Sequence, residues 1–212
     1  MNIFALYAGQ PAPLGPRGAP SAIVKSAVAQ LTVSLDGTVE DQQVNKKLHG
    51  GPEKVLHQYS FEGYKQLSEA FEGIAFTPGS IGENLLVEGM HDQNVYIGDT
   101  YQMGEVVVQV SAPRAPCVKI SQRYEHKNLD RFVGQQGITG WYYRVVRGGV
   151  INAGDTVSRL ARVEHTVSVA ELMQSVYNKA QAASAADFST LAILDDEWRE
   201  KCRRAAHKAG QD

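Results

Sequence analysis

Up to about residue 166 the chain is paced by short β-branched and aromatic runs that stop at glycine, and this pacing constrains its fold more than any other feature. Asn94-Val95-Tyr96-Ile97-Gly98-Asp99-Thr100-Tyr101 and Ile151-Asn152-Ala153-Gly154-Asp155-Thr156-Val157 share one pattern, in which an apolar run meets a Gly-Asp turn and the chain resumes as strand. Ile3–Ala8, Ser21–Lys25, Ala29–Leu35, Leu85–Glu88, Glu105–Val110 and Gly140–Arg147 also read as strands, with Asp36-Gly37 as a turn between strand-like runs. Recurrent short strands with such turns predict a closed or nearly closed β-barrel. Two helical interruptions are expected. Gly50-Gly51-Pro52-Glu53 reads as a helix start with proline at the first position, and Val55, Leu56, Tyr59, Tyr64, Leu67 and Phe71 extend it over Pro52–Phe71. Ser121–Val133 reads as a second, surface-lying helical segment.

The composition shifts at Thr166. The tail is rich in Ala, Glu, Lys and Arg, and Val169, Leu172, Met173, Val176 and Tyr177 recur at helical spacing behind Ser168, a capping residue with Glu171 three positions on. Asp187–Leu194 and a stretch starting at Asp195-Asp196-Glu197 read as two further helices, too short to stand alone. The expected fold is therefore mainly β: a barrel domain with a few peripheral helices over residues 1–166, and a small three-helix domain over 167–212. A net charge of -2 supplies no global basic surface, so nucleic acid is not an expected partner. The N-terminus lacks the pattern of a signal peptide, no apolar run approaches a membrane span, and the two cysteines make no disulfide framework. A soluble, cytoplasmic protein is expected.

The chemistry centres on Val108-Gln109-Val110-Ser111-Ala112-Pro113-Arg114-Ala115-Pro116-Cys117-Val118-Lys119-Ile120. Each proline fixes φ and pushes its predecessor towards extended geometry, so a rigid loop leaves the strand and carries Cys117 between Arg114 and Lys119. Fixed cations favour a thiolate, which attacks electrophiles and binds metals. Free cysteine is equally at home as a small buried hydrophobe, and the loop alone leaves both readings open. Lys47 and His49 precede the helix start expected at Gly50-Gly51-Pro52, and His57 follows it. Unpaired N–H groups at such a start suit an anion, although a helix start with solvated charges and a hydrogen-bonded core histidine describes the same residues. Thr77–Leu85 is a glycine-rich loop whose Glu83 and Asn84 either orient a polar ligand or bond the loop's own backbone. Trp141 fits a barrel wall or a stacking role, and Cys202, among arginines in the tail, is incidental.

Taken together, Ser111-x-Pro113-Arg114-x-Pro116-Cys117-x-Lys119, Lys47-x-His49-Gly50-Gly51-Pro52, Gly82-Glu83-Asn84-Leu85 and the two Gly-Asp turns resemble, in this order, the motifs of MOSC domains, named after the C-terminal domain of molybdenum cofactor sulfurase. The tail resembles the three-helix extension of bacterial MOSC proteins of the YiiM type, which are linked to detoxification of N-hydroxylated base analogues such as 6-N-hydroxylaminopurine. Glu40 stands before Asp41 where many relatives carry glycine. The resemblance implies a β-barrel holding the molybdenum cofactor (molybdopterin), with Cys117 as the protein ligand to the metal. A soft thiolate suits that centre, and the pterin supplies the other sulfurs. It implies cofactor contacts at Lys47, His49, Gly50, Gly51, His57, Asn84, Arg114, Ser21 and Lys25, with Arg17 and Trp141 as weaker candidates, and proton delivery by His49 and Lys47 beside catalytic Cys117. The implied activity is reduction of a small N-hydroxylated compound. No flavin, haem or iron–sulfur motif is present, so electrons would come from a separate donor protein. The tail helices would dock that donor or a second copy in a homodimer. The alternatives are a module that carries the cofactor or sulfur without turnover, and an anion-binding domain whose cysteine is structural.

Overall fold

In the computed structural model, which describes residues 1–44 and 50–210, the β-rich part is one large antiparallel-dominated sheet with two small ribbons beside it. The strands are β1 (Ile3–Ala8), β2 (Ala12–Leu14), β3 (Ala19–Ser21), β4 (Ser26–Val28), β5 (Gln30–Val33), β6 (Leu56–Tyr59), β7 (Leu85–Val87), β8 (Thr100–Met103), β9 (Val106–Pro113), β10 (Trp141–Arg147), β11 (Gly149–Asn152) and β12 (Val157–Ala161). Eight of them form one sheet in the order β12-β8-β9-β10-β6-β7-β1-β4, while β11 pairs with β5 and β2 with β3. Only β6 and β7 run parallel. The expected closed barrel is not found: among the described residues no ladder joins β12 to β4. The sheet nevertheless brings its two halves together at one corner, where an isolated Asn2–Thr156 bridge and the Val157 N–H to Met1 carbonyl bond (2.8 Å) connect the starts of β1 and β12.

Alternation along the central strands sorts side chains between two faces. Leu56 of β6, Val108, Val110 and Ala112 of β9, and Trp141, Tyr143 and Val145 of β10 enter the main apolar cluster. Trp141 is thereby a fully buried core residue. His57 and Tyr142, one position out of phase and paired across β6 and β10, face the opposite side, with ring centroids 5.4 Å apart. On that side a second cluster forms around Tyr59, Tyr64, Leu67, Phe76, Ile120, Leu129 and Val133. The site is built where the second face is left uncovered.

The helix expected over Pro52–Phe71 is instead three pieces. Pro52–Lys54 makes a single 3-10 turn, β6 follows, and α1 (Phe61–Ala70) begins only where the Ser60 hydroxyl caps the Gly63 N–H at 3.0 Å. All four residues of β6 are buried between β10 and β7, and strand pairing on both sides overrides an apolar spacing that also fits a helix. No long helix therefore starts at Gly50-Gly51. The strand expected at Ser21–Lys25 is also interrupted: β3 ends at Ser21, β4 begins at Ser26, and the residues between them turn into the site. The segment after Cys117 is two helices, α2 (Val118–Arg123) and α3 (Leu129–Gln136).

In the tail, Ser168 and Glu171 form a complete capping box at the start of α4 (Val169–Tyr177). The second helix lies earlier than expected, as a 3-10 turn at Lys179–Ser184 running into α5 (Ala185–Phe188). Asp195 caps α6 (Asp196–Ala209) through the Trp198 N–H at 2.7 Å. Val169, Leu172, Met173, Ala185, Leu194, Trp198 and Cys202 belong to the same apolar cluster as β9 and β10. No helix among the described residues is long and apolar enough to cross a membrane.

Candidate functional site

A cavity of about 670 Å³ opens on the second face of β6 and β10. Six described chain segments wall it: the run from Ala19 to Lys25, Asp41–Val44, Lys54 with His57, the Gly82–Asn84 loop, the Pro-Arg-Ala-Pro-Cys loop continuing to Lys119, and Tyr142 of β10. Ser21, Lys25, His57, Asn84, Arg114 and Cys117, six residues expected from sequence to form a site, meet here from positions up to 96 residues apart. Gly50 and Gly51 are not among the described lining residues; Gly51 adopts φ 86° and opens the 3-10 turn that carries Lys54 into the wall. Lys47 and His49 lie outside the described residues.

The cavity's charge is unevenly neutralised. Among the described residues Lys25, Lys54, Arg114 and Lys119 line it against a single lining carboxylate, Asp41. Lys25 Nζ lies 2.6 Å from Asp41 Oδ1, which also accepts the Gly9 N–H at 2.7 Å. Burial lowers the Lys25 pKa, with Arg114 adding to the effect and Asp41 opposing it. Lys54 reaches out of the wall to Glu197 and to Asp195, 3.7 Å away, at the start of α6. Lys119 donates to two backbone carbonyls of the β2–β3 hairpin, Leu14 at 3.4 Å and Ala19 at 3.2 Å. Among the described residues, Arg114 and Lys119 have no carboxylate partner, and these two flank Cys117.

Arg114 is the sharpest feature. It is 6% exposed, and its Nη1 is buried without a hydrogen-bond partner among the described residues. A buried donor left unpaired costs about 1–3 kcal/mol, so such groups are rare unless something else satisfies them. Its backbone is held by the Gly140 carbonyl, which accepts the Arg114 N–H at 2.9 Å. Burial raises the Tyr142 pKa, and Arg114 opposes the rise. Cys117 is half-buried at the end of the loop, immediately before α2.

Burial, reinforced by Arg114, depresses the His57 pKa well below the usual histidine range, so the ring is neutral. Its Nε2 lies 3.2 Å from the Thr139 carbonyl, which can only accept, so Nε2 carries the proton and Nδ1 the lone pair. Asn84 bonds backbone on both sides, its Oδ1 accepting the His57 N–H at 3.1 Å and its Nδ2 donating to the Tyr7 carbonyl at 3.2 Å. Glu83 accepts from the Tyr64 hydroxyl and from the Gly79 and Ile81 N–H groups, at 2.6 and 3.2 Å, and so shapes the glycine-rich loop. At Gly82, φ +90° and a would-be Cβ 2.9 Å from Ile23 Cγ1 both require glycine.

Asp41, Lys54 and Tyr142 escaped the sequence reading. Asp41 is separated from Lys25 by 15 intervening positions that include β4 and β5, and Lys54 was placed on a helix that does not form. Tyr142 carried a readable signal, since it alternates with the core residues Trp141 and Tyr143 on one strand.

Among the described residues no cluster of three or more His, Cys, Asp or Glu forms a metal cage. A metal held here by Cys117 would have to bring most of its own ligands, and an anionic group on it would meet Arg114 Nη1. The donor set therefore fits an anionic, sulfur-ligated metal cofactor.

The MOSC domain model matches residues 45–158, which include β6, the glycine-rich loop and the cysteine loop. Protein YiiM of Escherichia coli (strain K12) is 36% identical over 151 residues, covering 70% of this chain and 67% of that one. A protein named reductase from Gibberella moniliformis is 36% identical over 132 residues, 61% of this chain but only 23% of the fungal one. The crystal structure of YiiM from Geobacillus stearothermophilus superimposes with a TM-score of 0.79 at 28% identity, covering 97% of this chain and 98% of that one.

Proposed function

We propose, from the premise that this chain belongs to the MOSC domain family, that it is a molybdenum-cofactor-dependent oxidoreductase that reduces N-hydroxylated compounds. The observation that carries the reading is the buried Nη1 of Arg114, unpartnered among the described residues, on the Cys117 loop in a cavity where Lys25 and Lys54 are paired with carboxylates. Similarity to YiiM and to a protein named reductase supports the oxidoreductase class. Cys117 would ligate the metal, while Arg114 and Lys119 would hold the anionic part of the cofactor, with Lys47, His49, Gly50 and Gly51 proposed as further contacts. When bound, the cofactor would supply the two-electron reduction.

The reaction R–NHOH + 2e⁻ + 2H⁺ → R–NH₂ + H₂O consumes two protons, and the chain's part is to deliver them and to orient the substrate. Lys25 Nζ, hydrogen-bonded to Asp41 and with its pKa lowered by burial, is the described group suited to donate. Lys47 and His49 are proposed for the same task. Neutral His57 keeps its proton on Nε2 towards Thr139 and adds no charge to compete with Arg114. Electrons would come from a separate donor protein. The test is metal analysis and 6-N-hydroxylaminopurine reduction by protein from a cofactor-competent host, with and without Cys117→Ala. Loss of molybdenum and of activity together supports the proposal; full activity at equal metal content refutes it. Bound molybdenum without reduction of any N-hydroxylated substrate would favour a cofactor carrier instead.

A further inference from the structure

We infer that Asp92, a buried acid outside the cavity lining, is a positioning residue for the anion site and acts through Gly140, whose two flanking peptides hold His57 and Arg114. The inference rests on the reading of Arg114 as an anion contact. Gly140 is the junction. Its carbonyl accepts the Arg114 N–H at 2.9 Å, and the preceding carbonyl, of Thr139, accepts from His57 Nε2 at 3.2 Å. Two consecutive carbonyls thus hold the guanidinium-bearing loop and the imidazole of the cavity wall. The Gly140 N–H in turn donates to Asp92 Oδ1 at 2.8 Å, 48 residues away in sequence.

The junction tolerates little displacement. Gly140 adopts φ +73°, and a Cβ there would meet the Gln58 carbonyl oxygen and stand 2.9 Å from His57 Nε2. A non-glycine residue is excluded by conformation and by contact with the element that carries His57. Asp92 is anchored independently on two further elements. Its Oδ2 accepts from the Ser60 hydroxyl at 3.4 Å, the hydroxyl that also caps α1, and its backbone carbonyl accepts the Ala170 N–H of α4 at 2.8 Å. The carboxylate therefore ties Ser60, between β6 and α1, to Gly140, whose flanking peptides hold Arg114 and His57, while the Asp92 backbone is fixed by α4. Asparagine at this position can keep the geometry, with Oδ1 accepting from Gly140 and Nδ2 donating to Ser60, whereas alanine cannot.

The test is calorimetric titration of the full-length, cofactor-free chain with inorganic phosphate at low ionic strength, for wild type, Asp92→Asn, Asp92→Ala and Arg114→Met. We expect Asp92→Ala to weaken phosphate binding about tenfold and Asp92→Asn to stay within about twofold of wild type, rescue that a merely structural role in folding does not require. Wild-type affinity in Asp92→Ala, with binding lost in Arg114→Met, overturns the role of Asp92 alone. Wild-type affinity in Arg114→Met overturns the anion site itself. Should Asp92→Ala fail to fold, hydrogen exchange of the Gly140 amide in wild type decides: slower exchange on saturation with phosphate supports the coupling, and unchanged exchange overturns it.

Discussion

Arg114→Met separates what the cavity does for stability from what it does for binding. In the free protein the guanidinium is 6% exposed and Nη1 has no partner among the described residues. Leaving one buried donor unsatisfied costs about 1–3 kcal/mol. Methionine keeps the unbranched bulk and removes that cost, so the variant should match wild-type stability or exceed it by up to about 3 kcal/mol. For a chain of this length that corresponds to a rise of roughly 2–4 °C in Tm per kcal/mol. Binding should move the other way. A hydrogen bond between charged groups contributes about 1.5–3 kcal/mol, so loss of the guanidinium should weaken phosphate binding by about 10- to 150-fold. Urea unfolding and phosphate titration on the same samples test the pair of effects. A variant destabilised by several kcal/mol would mean that Arg114 is a structural residue whose charge is already satisfied, and the argument for an anion there would fall.

Two further outcomes follow from the packing and the buried acids. Trp198 is fully buried in the cluster that also contains β9 and β10, so Trp198→Ala should cost about 3–5 kcal/mol and lower a single cooperative transition; a separate early melting of the tail would refute a shared core. Burial pushes the Asp92 carboxyl up to about 7 from its ordinary 3.8, so the folded chain keeps a proton that the unfolded chain releases. Its contribution to stability is complete below 3.8 and lost as pH rises through 7, so the stability of wild type relative to Asp92→Asn should fall across that window in urea titrations; a constant difference refutes the assignment.

The parts of the molecule that local chemistry decides were legible in advance. Ser168 with Glu171 announced α4, Gly-Asp pairs announced turns, and the two prolines announced an extended loop ending at Cys117. Where two periods fit the same residues, tertiary pairing chose between them: Val55, Leu56 and Tyr59 satisfy a helical face, yet Leu56–Tyr59 is a strand because β7 and β10 lie on either side. Barrel closure was over-read for a related reason, since alternation within strands says nothing about which edge strands meet. Ser21, Lys25, His57, Asn84, Arg114 and Cys117 were brought into view by motif resemblance, and the cavity unites them. Asp92 stayed invisible because a lone acid in His91-Asp92-Gln93 carries no local pattern; its partners Ser60 and Gly140 are 32 and 48 residues away.

The pairing of the other cations explains why the cysteine loop can dominate a cavity on a chain of net charge -2. Among the described residues four cationic side chains line the wall, and if all were uncompensated an anion could settle against any of them. Asp41 engages Lys25, and Glu197 with Asp195 engages Lys54 from the tail, so two potential competitors are removed by separate elements. The remaining charges, Arg114 and Lys119, stand three positions before and two after Cys117 on one short, proline-stiffened segment. Charge and thiol are thus delivered by the same stretch of backbone, whose first residue is fixed by Gly140. On this view the tail helix α6 acts on the site without touching a ligand: by holding Lys54 it keeps the strongest anion attraction beside the sulfur.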